Sequence, residues 1–481
     1  MPETALVWLR RDLRLTDNPA LHDALACCER VIPVYIHAPD EEHPWQPGAA
    51  SRWWLHHSLK ALAEGLEGRG SRLTVVKGDS LATLRRLIHE TGASRCLWNR
   101  LYDPALVERD TSIKQALRAD GVRCDSFNGS MLLEPWQVKT GAGEPYRVFT
   151  PYWRRCQPQI NDIGTPLPAP PTLPTVPDDV ASLPIDALDL LPRIPWDQGL
   201  REIWQPGERG AIARLNAFVA GPITTYGEGR EYPGEPGTSA LSPHLHWGEI
   251  SPRQIVQAIG EHGLADNGDA EKYIRELGWR DFSHQLLYHF PHTPLAPLDP
   301  KFSDFPWRED ANGALLRAWQ RGRTGIPIVD AGMRELWHTG WMHNRVRMIV
   351  SSLLTKNLRL PWQQGARWFW DTLVDADLAS NTQGWQWSAG SGADAAPYFR
   401  IFNPVRQGER FDPKGTYVRR WCPALAKLPD KLIHQPWEAN PTLLGQSSLR
   451  LGRDYPAPIV DLKQSRAEAL AAYDRIKQAK D

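Results

Sequence analysis

Nine prolines lie between residues 166 and 195 (166, 168, 170, 171, 174, 177, 184, 192 and 195), a density that no regular helix or interior strand tolerates. A chain of 481 residues is too long for one ordinary core, so it is expected to divide around this stretch, which would act as a semi-rigid connector. The two sides read differently. Residues 1–130 alternate strand-like apolar runs (6–9, 31–36, 73–76, 96–98, 122–127) with helical segments (20–26, 51–67, 79–90, 105–119), the order of a parallel sheet with crossover helices. From about residue 207 strand signals vanish and capped helical periodicity takes over, as over 264–289 and 313–320. The expected architecture is α/β plus all-α: a Rossmann-like parallel sheet domain over 1–130, a proline-rich linker over 131–200 and a helical domain over 201–481.

Composition narrows the class. Hydrophobic residues make up 41% and charged residues 23%, as in ordinary globular proteins, and no apolar run is long enough to span a membrane. The first residues lack the basic and apolar regions of a secretion signal. The six cysteines (27, 28, 96, 124, 156, 422) are spaced for neither a zinc site, a disulfide framework nor an iron–sulfur centre, so reduced thiols and a cytoplasmic location are expected. Net charge is zero, which argues against a nonspecific nucleic-acid coat but permits a local basic patch. The loop Arg10-Arg11-Asp12-Leu13-Arg14 lacks the glycines of a dinucleotide turn, so no nicotinamide site is expected there. Tryptophan is the outlier at 22 copies; most serve as packing anchors, and position must pick out any that carry electrons.

Four segments of the helical half could carry chemistry. Thr238-Ser239-Ala240-Leu241-Ser242-Pro243 reads as a helix start with proline at its first position, either an ordinary cap or a phosphate cradle. Glu276 and Arg280 share a helix face beside Trp279, which suits a surface ion pair or a flat hydrogen-bonding ligand such as a base. Asn344, Arg345, Arg347 and Met348 follow Trp341 and suit phosphate and base contacts or a solvated basic face. Asp375-Ala376-Asp377, then Asn381, Trp385 and Trp387, combine carboxylates, an amide and indoles. Without further His or carboxylate neighbours a metal is not expected; a flavin with an electron-transfer partner fits better.

Taken together, Val7-Trp8-Leu9-Arg10-Arg11-Asp12-Leu13-Arg14, Trp341-Met342-His343-Asn344-Arg345 and Ala396-Pro397-Tyr398-Phe399-Arg400-Ile401-Phe402-Asn403-Pro404 closely resemble the photolyase/cryptochrome family, over a span reaching Tyr473. The resemblance implies FAD in the helical half, folded into a U and active in its reduced form, FADH−. Tyr226 and Thr238, Ser239, Ala240, Leu241 and Ser242 would hold its phosphates and ribityl chain, and Tyr273 would line its pocket. Asp375, Ala376 and Asp377 would meet the ring or ribose, Arg347 would pair with Asp375, and Asn381 would face N5, where an amide can accept from a protonated nitrogen. Trp385, Trp362 and Trp307 would pass electrons to the resting flavin. Glu276, Trp279, Arg280, Asn344, Met348 and Trp387 would form a repair pocket. There Trp279 and Trp387 would clasp a flipped-out pyrimidine dimer and Glu276 would stabilise its radical anion. Arg230, Arg280, Arg345 and Arg400 would grip the strand's phosphates.

The N-terminal half, through Ala38-Pro39-Asp40-Glu41-Glu42, Ser51-Arg52-Trp53-Trp54-Leu55 and Leu101-Tyr102-Asp103-Pro104, leans toward the branch nearest the plant cryptochromes (class III). In plant cryptochromes Asp usually stands at the position of Asn381 and Tyr at that of Trp387, and a long C-terminal tail follows; here the sequence ends at Asp481. The expected activity is therefore carbon–carbon lysis of cyclobutane pyrimidine dimers in DNA. A signalling photoreceptor, a six-four photolyase (whose paired histidines are not found) and a plain electron-transfer flavoprotein are the alternatives. The sheet domain would hold an antenna, methenyltetrahydrofolate or a deazaflavin, although Leu106 falls near where some relatives carry a carboxylate ligand. A monomer without an obligate protein partner and without membrane contact is expected.

Overall fold

The computed structural model describes residues 3–160, 162–395 and 400–478. Strands β1 (Thr4–Leu9), β2 (Arg30–His37), β3 (Thr74–Lys77), β4 (Arg95–Asn99) and β5 (Arg123–Phe127) form one parallel sheet in the order β3-β2-β1-β4-β5. The crossovers are helices α1 (Pro19–Cys27), α2 (Ala49–Glu67), α3 (Ser80–Thr91) and α4 (Pro104–Ala119). Every residue of β1 is buried, so the two-residue alternation of a half-exposed strand is missing, as it must be when helices cover both faces. Local chemistry sets the helix ends. Asn18 and Asp79 accept from Leu21 N–H and Ala82 N–H at the starts of α1 and α3, and Gly92, at φ +64, closes α3. Leu6, Trp8, Ile32, Val34, Leu84, Leu87, Cys96 and Trp98 form the core around the sheet.

From β1 the chain moves outward to β2 and β3, then returns to the other side for β4 and β5. The reversal opens a crevice at the carboxyl ends of β1 and β4, where ligands of open α/β sheets bind.

The proline-rich stretch differs from the connector expected of it. Its prolines keep it irregular apart from one 3₁₀ turn (Ile185–Leu188), yet it is fastened to the sheet. Val176 and Val180 enter the sheet core. At the outer strand β3, Leu183 N–H donates to the Val75 carbonyl at 2.8 Å and Ser182 Oγ accepts from Val75 N–H at 2.9 Å. Proline content ruled out regular structure without ruling out attachment.

The chain forms two compact units: Met1–Thr224 with Ser239–Pro291 and Val374–Ala379, here the sheet unit, and Thr225–Thr238 with His292–Leu373 and Ser380–Asp481, the helical unit. Past β5 the described residues hold no named strand, only an isolated bridge between Leu451 and Tyr455. No helix among them is long and apolar enough to cross a membrane.

Within the sheet unit, Arg14 is buried and donates to the carbonyls of Asp17, Gly129 and Gly248 at 2.6, 2.6 and 2.8 Å. Gly248 sits at φ +64, and a Cβ there would come within 2.1 Å of the Arg11 carbonyl oxygen. Gly248→Ala should therefore cost about 1–3 kcal/mol, from the left-handed backbone and the collision together. The expected result is a lower urea midpoint at unchanged m-value; an unchanged midpoint would show that the loop yields freely.

Candidate active site

In the sheet unit the long helix Gly268–His289, capped by Asn267, carries Tyr273, Glu276, Trp279 and Arg280. Tyr273 is buried, and its hydroxyl donates to Ser239 Oγ at 2.9 Å; burial pushes the phenol up to about 12. Glu276 is half-buried. The Trp279 ring lies flat on Phe149, with centroids 3.7 Å apart and planes 10° apart. Arg280 donates to the Ser130 carbonyl at 2.6 Å and stands 3.7 Å from Asp281, so part of its fork is already engaged. The expected helix start after Thr238 is displaced: the helix is Ser242–His246, Pro243 is its second residue, and Leu241 occupies the cap without a side-chain bond. The hydroxyl chemistry lies one step earlier. Ser239 Oγ accepts from Leu241 N–H at 3.3 Å, and Ala240 takes a left-handed φ of +50 between them.

Asp375, Ala376 and Asp377 are also in the sheet unit, with Asp375 and Ala376 buried. Burial would raise the Asp377 carboxyl, but His284 and His246 overcome it and hold the group well below the usual carboxylate range. His284 Nε2 is 3.4 Å and His246 Nδ1 3.7 Å from Asp377 Oδ2. Neither histidine stood out in the sequence.

In the helical unit Asn344 is the exposed first residue of the helix Asn344–Ser352. Burial, then Arg345, Arg347 and Arg230, push His343 down to about 3. Its neutral ring keeps the Nδ1 lone pair, which accepts from Arg345 N–H at 3.2 Å and caps the helix. Arg345 is ion-paired with Glu231, lies 4.3 Å over Phe411 and is 3.9 Å from Met348 Sδ. Arg230 is 4.0 Å from Glu231 and 5.3 Å over Tyr226, so Glu231 tempers both cations. Arg347 gives its Nε–H to the Met342 carbonyl at 2.7 Å. A Cβ on Gly237 would lie 2.2 Å from the Gly229 carbonyl oxygen, so the 229–238 loop closes tightly before Thr238.

Asn381 Nδ2 donates to the Ala366 carbonyl at 3.0 Å, which fixes the amide with Oδ1 as its acceptor end. Trp385 is buried against Phe369 (5.0 Å) and Trp319 (6.0 Å), and a Cβ on Gly365 would meet its ring at 2.1 Å. Trp385 therefore packs on the backbone of the helix Trp362–Thr372, which buried Trp362 begins. Trp307 is half-buried against Phe305 at 4.5 Å, and Trp387 is half-buried 6.5 Å from Phe402. Trp319 was missed in the sequence because an internal Ala-Trp-Gln has no local signature. Arg400 is exposed; Ala396, Pro397, Tyr398 and Phe399 of the quoted motif lie outside the described residues.

The crevice at the strand ends is a cavity of about 280 Å³, lined by Arg10, Arg11, Tyr35, His37, Glu42, Arg52, Leu55, Leu106, Arg109 and Trp247 among others. Three of its arginines are matched by carboxylates: Arg10 with Asp110 at 3.0 Å, Arg11 with Asp103 at 2.7 Å, and Arg109 with Asp110 at 2.7 Å. Trp8 lies under Arg10 and Arg109, at 4.3 and 4.8 Å. Arg52 donates to the Pro47 carbonyl at 2.8 Å on the open side. Among the described residues no group of three or more His, Cys, Asp or Glu could hold a metal ion.

Residues 5–172 match the DNA photolyase family and residues 273–475 the FAD binding domain of DNA photolyase. The chain belongs to the photolyase/cryptochrome family. It is 48% identical to a deoxyribodipyrimidine photo-lyase of Agrobacterium fabrum over 98% of both chains. It is 39% identical to Cryptochrome-1 of Arabidopsis thaliana over 98% of this chain and 70% of that one. The crystal structure of a bacterial class III photolyase from Agrobacterium tumefaciens superposes with a TM-score of 0.94 at 47% identity, covering 99% of this chain and 98% of that one. The parallel sheet followed by a large helical region is the photolyase fold. Groups that could meet its flavin are present in each unit: hydroxyls at Ser239 and Tyr273 and an ionised carboxylate at Asp377 in one, an oriented amide at Asn381 in the other.

Beneath the Asn344 turn of this photolyase-family chain, Glu335 accepts from Tyr417 Oη at 2.5 Å. Burial pushes Glu335 up to about 7, against the Tyr417 hydroxyl, the His343 N–H, Arg347 and Arg420. The folded state then keeps a proton that the unfolded chain has lost, so this group makes stability fall as pH rises from the ordinary glutamate range to about 7. Glu335→Gln should flatten that slope, worth on the order of 2–4 kcal/mol. Urea unfolding at pH 5 and pH 8 tests it, and an undiminished slope in the variant would assign the effect elsewhere.

Proposed function

We propose that this protein is a light-dependent DNA repair enzyme, a deoxyribodipyrimidine photo-lyase acting on cyclobutane pyrimidine dimers. The observation that carries the reading is Trp279: one face lies on Phe149 while the ring stays half-open, a flat apolar platform for a base turned out of the duplex. Trp387 in the helical unit is the second platform, at a position where plant cryptochromes usually carry Tyr. Bound FAD, when reduced, supplies the light-driven electron that opens the cyclobutane ring and recovers it afterwards. Tyr226, Thr238, Ser239, Ala240, Leu241, Ser242 and Tyr273 hold that cofactor, with Asp375, Ala376, Asp377 and Arg347 at its ring or ribose. Asn381, whose Oδ1 is its acceptor end, would meet the protonated N5. Trp307, Trp362 and Trp385 would return electrons to the cofactor when it rests oxidised.

Glu276 stabilises charge on the dimer, and Asn344 and Met348 complete the pocket. Arg230, Arg345 and Arg400 take the lesion strand's phosphates, and Arg280 contributes the donors that Ser130 leaves over. The domains are an antenna domain over 1–130, a proline-rich segment over 131–200 and a catalytic domain over 201–481. The protein acts as a monomer in the cytoplasm, at the nucleoid.

Purified protein with reduced flavin, mixed with UV-irradiated oligothymidine, should regain thymine absorbance under blue light and not in the dark. Absence of recovery despite bound reduced flavin would move the assignment to a cryptochrome-type photoreceptor.

The strand-end cavity is the antenna site, and its occupant is a reduced folate, methenyltetrahydrofolate. Leu55, Leu106 and Trp247 offer apolar walls for a pterin, and Arg52 at the open side suits a glutamyl carboxylate. Gentle extraction followed by mass spectrometry should release a folate, and Arg52→Ala should retain less of it. A deazaflavin in the extract would overturn the choice.

A further inference from the structure

We infer that Phe149, backed by Trp153, is a positioning residue that fixes the plane of the Trp279 indole for lesion binding. The inference rests on the reading above that Trp279 meets the dimer. It begins from a layered arrangement inside the sheet unit. Trp279 lies on Phe149, and Phe149 in turn is within 15° of parallel to Trp153, with centroids 6.1 Å apart. Three aromatic planes are thus nearly aligned, running from the half-open Trp279 to rings that are buried. Phe282 closes the stack from the side, edge-on to Phe149 at 5.7 Å and to Trp279 at 5.8 Å.

The backbone is shaped to admit this stack. Gly278 immediately precedes Trp279, and a Cβ there would lie 2.2 Å from Trp153 Cζ3. Only a residue without a side chain lets Trp153 approach the helix so closely. Phe149 itself begins the helix Phe149–Ile160, remote in sequence from the residues of the pocket.

An indole on a half-open helix face can turn about two side-chain bonds. A dimer needs it in one plane, so an unsupported ring must be ordered when the lesion binds, at a cost in affinity. A ring already pressed flat on Phe149 has been ordered during folding. Phe149 does not touch the lesion; it acts through Trp279.

The test measures dissociation constants in the dark for a dimer-containing duplex and its undamaged counterpart, using the full protein with its flavin. Phe149→Leu keeps apolar bulk but removes the flat surface, and Phe149→Met is the gentler alternative if Leu lowers folded yield. Lesion affinity should weaken about two- to tenfold, the factor for freezing one large side chain, while undamaged-DNA affinity and flavin content stay the same. Phe149→Tyr, which keeps the plane, should restore lesion affinity. Trp279→Ala should weaken lesion binding at least as much, and adding Phe149→Leu to it should weaken binding no further, because the positioned ring is gone. Losses that add, or unchanged lesion affinity in both Leu and Met variants, would overturn the inference while leaving Trp279 in the pocket. Unchanged affinity in Trp279→Ala would instead overturn the pocket reading, and the inference with it.

Discussion

A single buried guanidinium ties the sheet unit together. Arg14 sits in the loop after β1 and donates to main-chain carbonyls at 17, 129 and 248. Those carbonyls belong to the entrance of α1, to the segment after β5 and to the loop after the Ser242–His246 helix. No neutral side chain offers that many donors in one plane, and each carbonyl left alone in the interior would carry a desolvation cost. Beside it Asn99 donates to Asp12 at 2.6 Å and to Asn18 at 2.8 Å, so the carboxyl ends of the central strands are pinned by polar bonds. The segment that starts at Gly129 then runs into Ser130 and Leu133, which meet Arg280 and Asp281 on the long helix. The position of the Trp279 face thus depends on an arginine far from it in sequence.

The charges around the candidate site are arranged by burial and pairing together. Asp377 stays ionised beside two histidines, while His343 stays neutral among three arginines. In the first case the hydrogen bonds and charge of the two imidazoles outweigh the cost of burying the carboxylate. In the second, like charge and burial act in the same direction. Within each unit that polarity is fixed on folding, so nothing there has to reorient to sustain it.

Local patterns in the sequence carried the architecture well. All five strands and the four crossover helices follow from apolar runs and capping residues that lie next to one another in the chain. The chemistry of Ser239 was legible as a hydroxyl near a helix start, but not that its partners would be Tyr273 and Leu241. Phe149, His246, His284 and Trp319 escaped notice because their importance comes from neighbours a hundred or so residues away in some cases, and a phenylalanine after Val148 looks like any other. The proline stretch was misjudged for a related reason. Composition reports what backbone a segment cannot adopt, while its attachment depends on Val176 and Val180 finding a core built elsewhere.

That attachment also covers the outer edge of the sheet. An outer strand in a parallel sheet presents a row of main-chain groups to any passing extended chain, which is how sheets recruit copies of themselves into aggregates. At β3, Val75 spends its N–H and its carbonyl on Ser182 and Leu183. The covering segment is itself rich in residues without an N–H and gives a further strand little to pair with. On this side the sheet ends in a self-terminating border, so an unfolded chain finds one fewer surface on which to add.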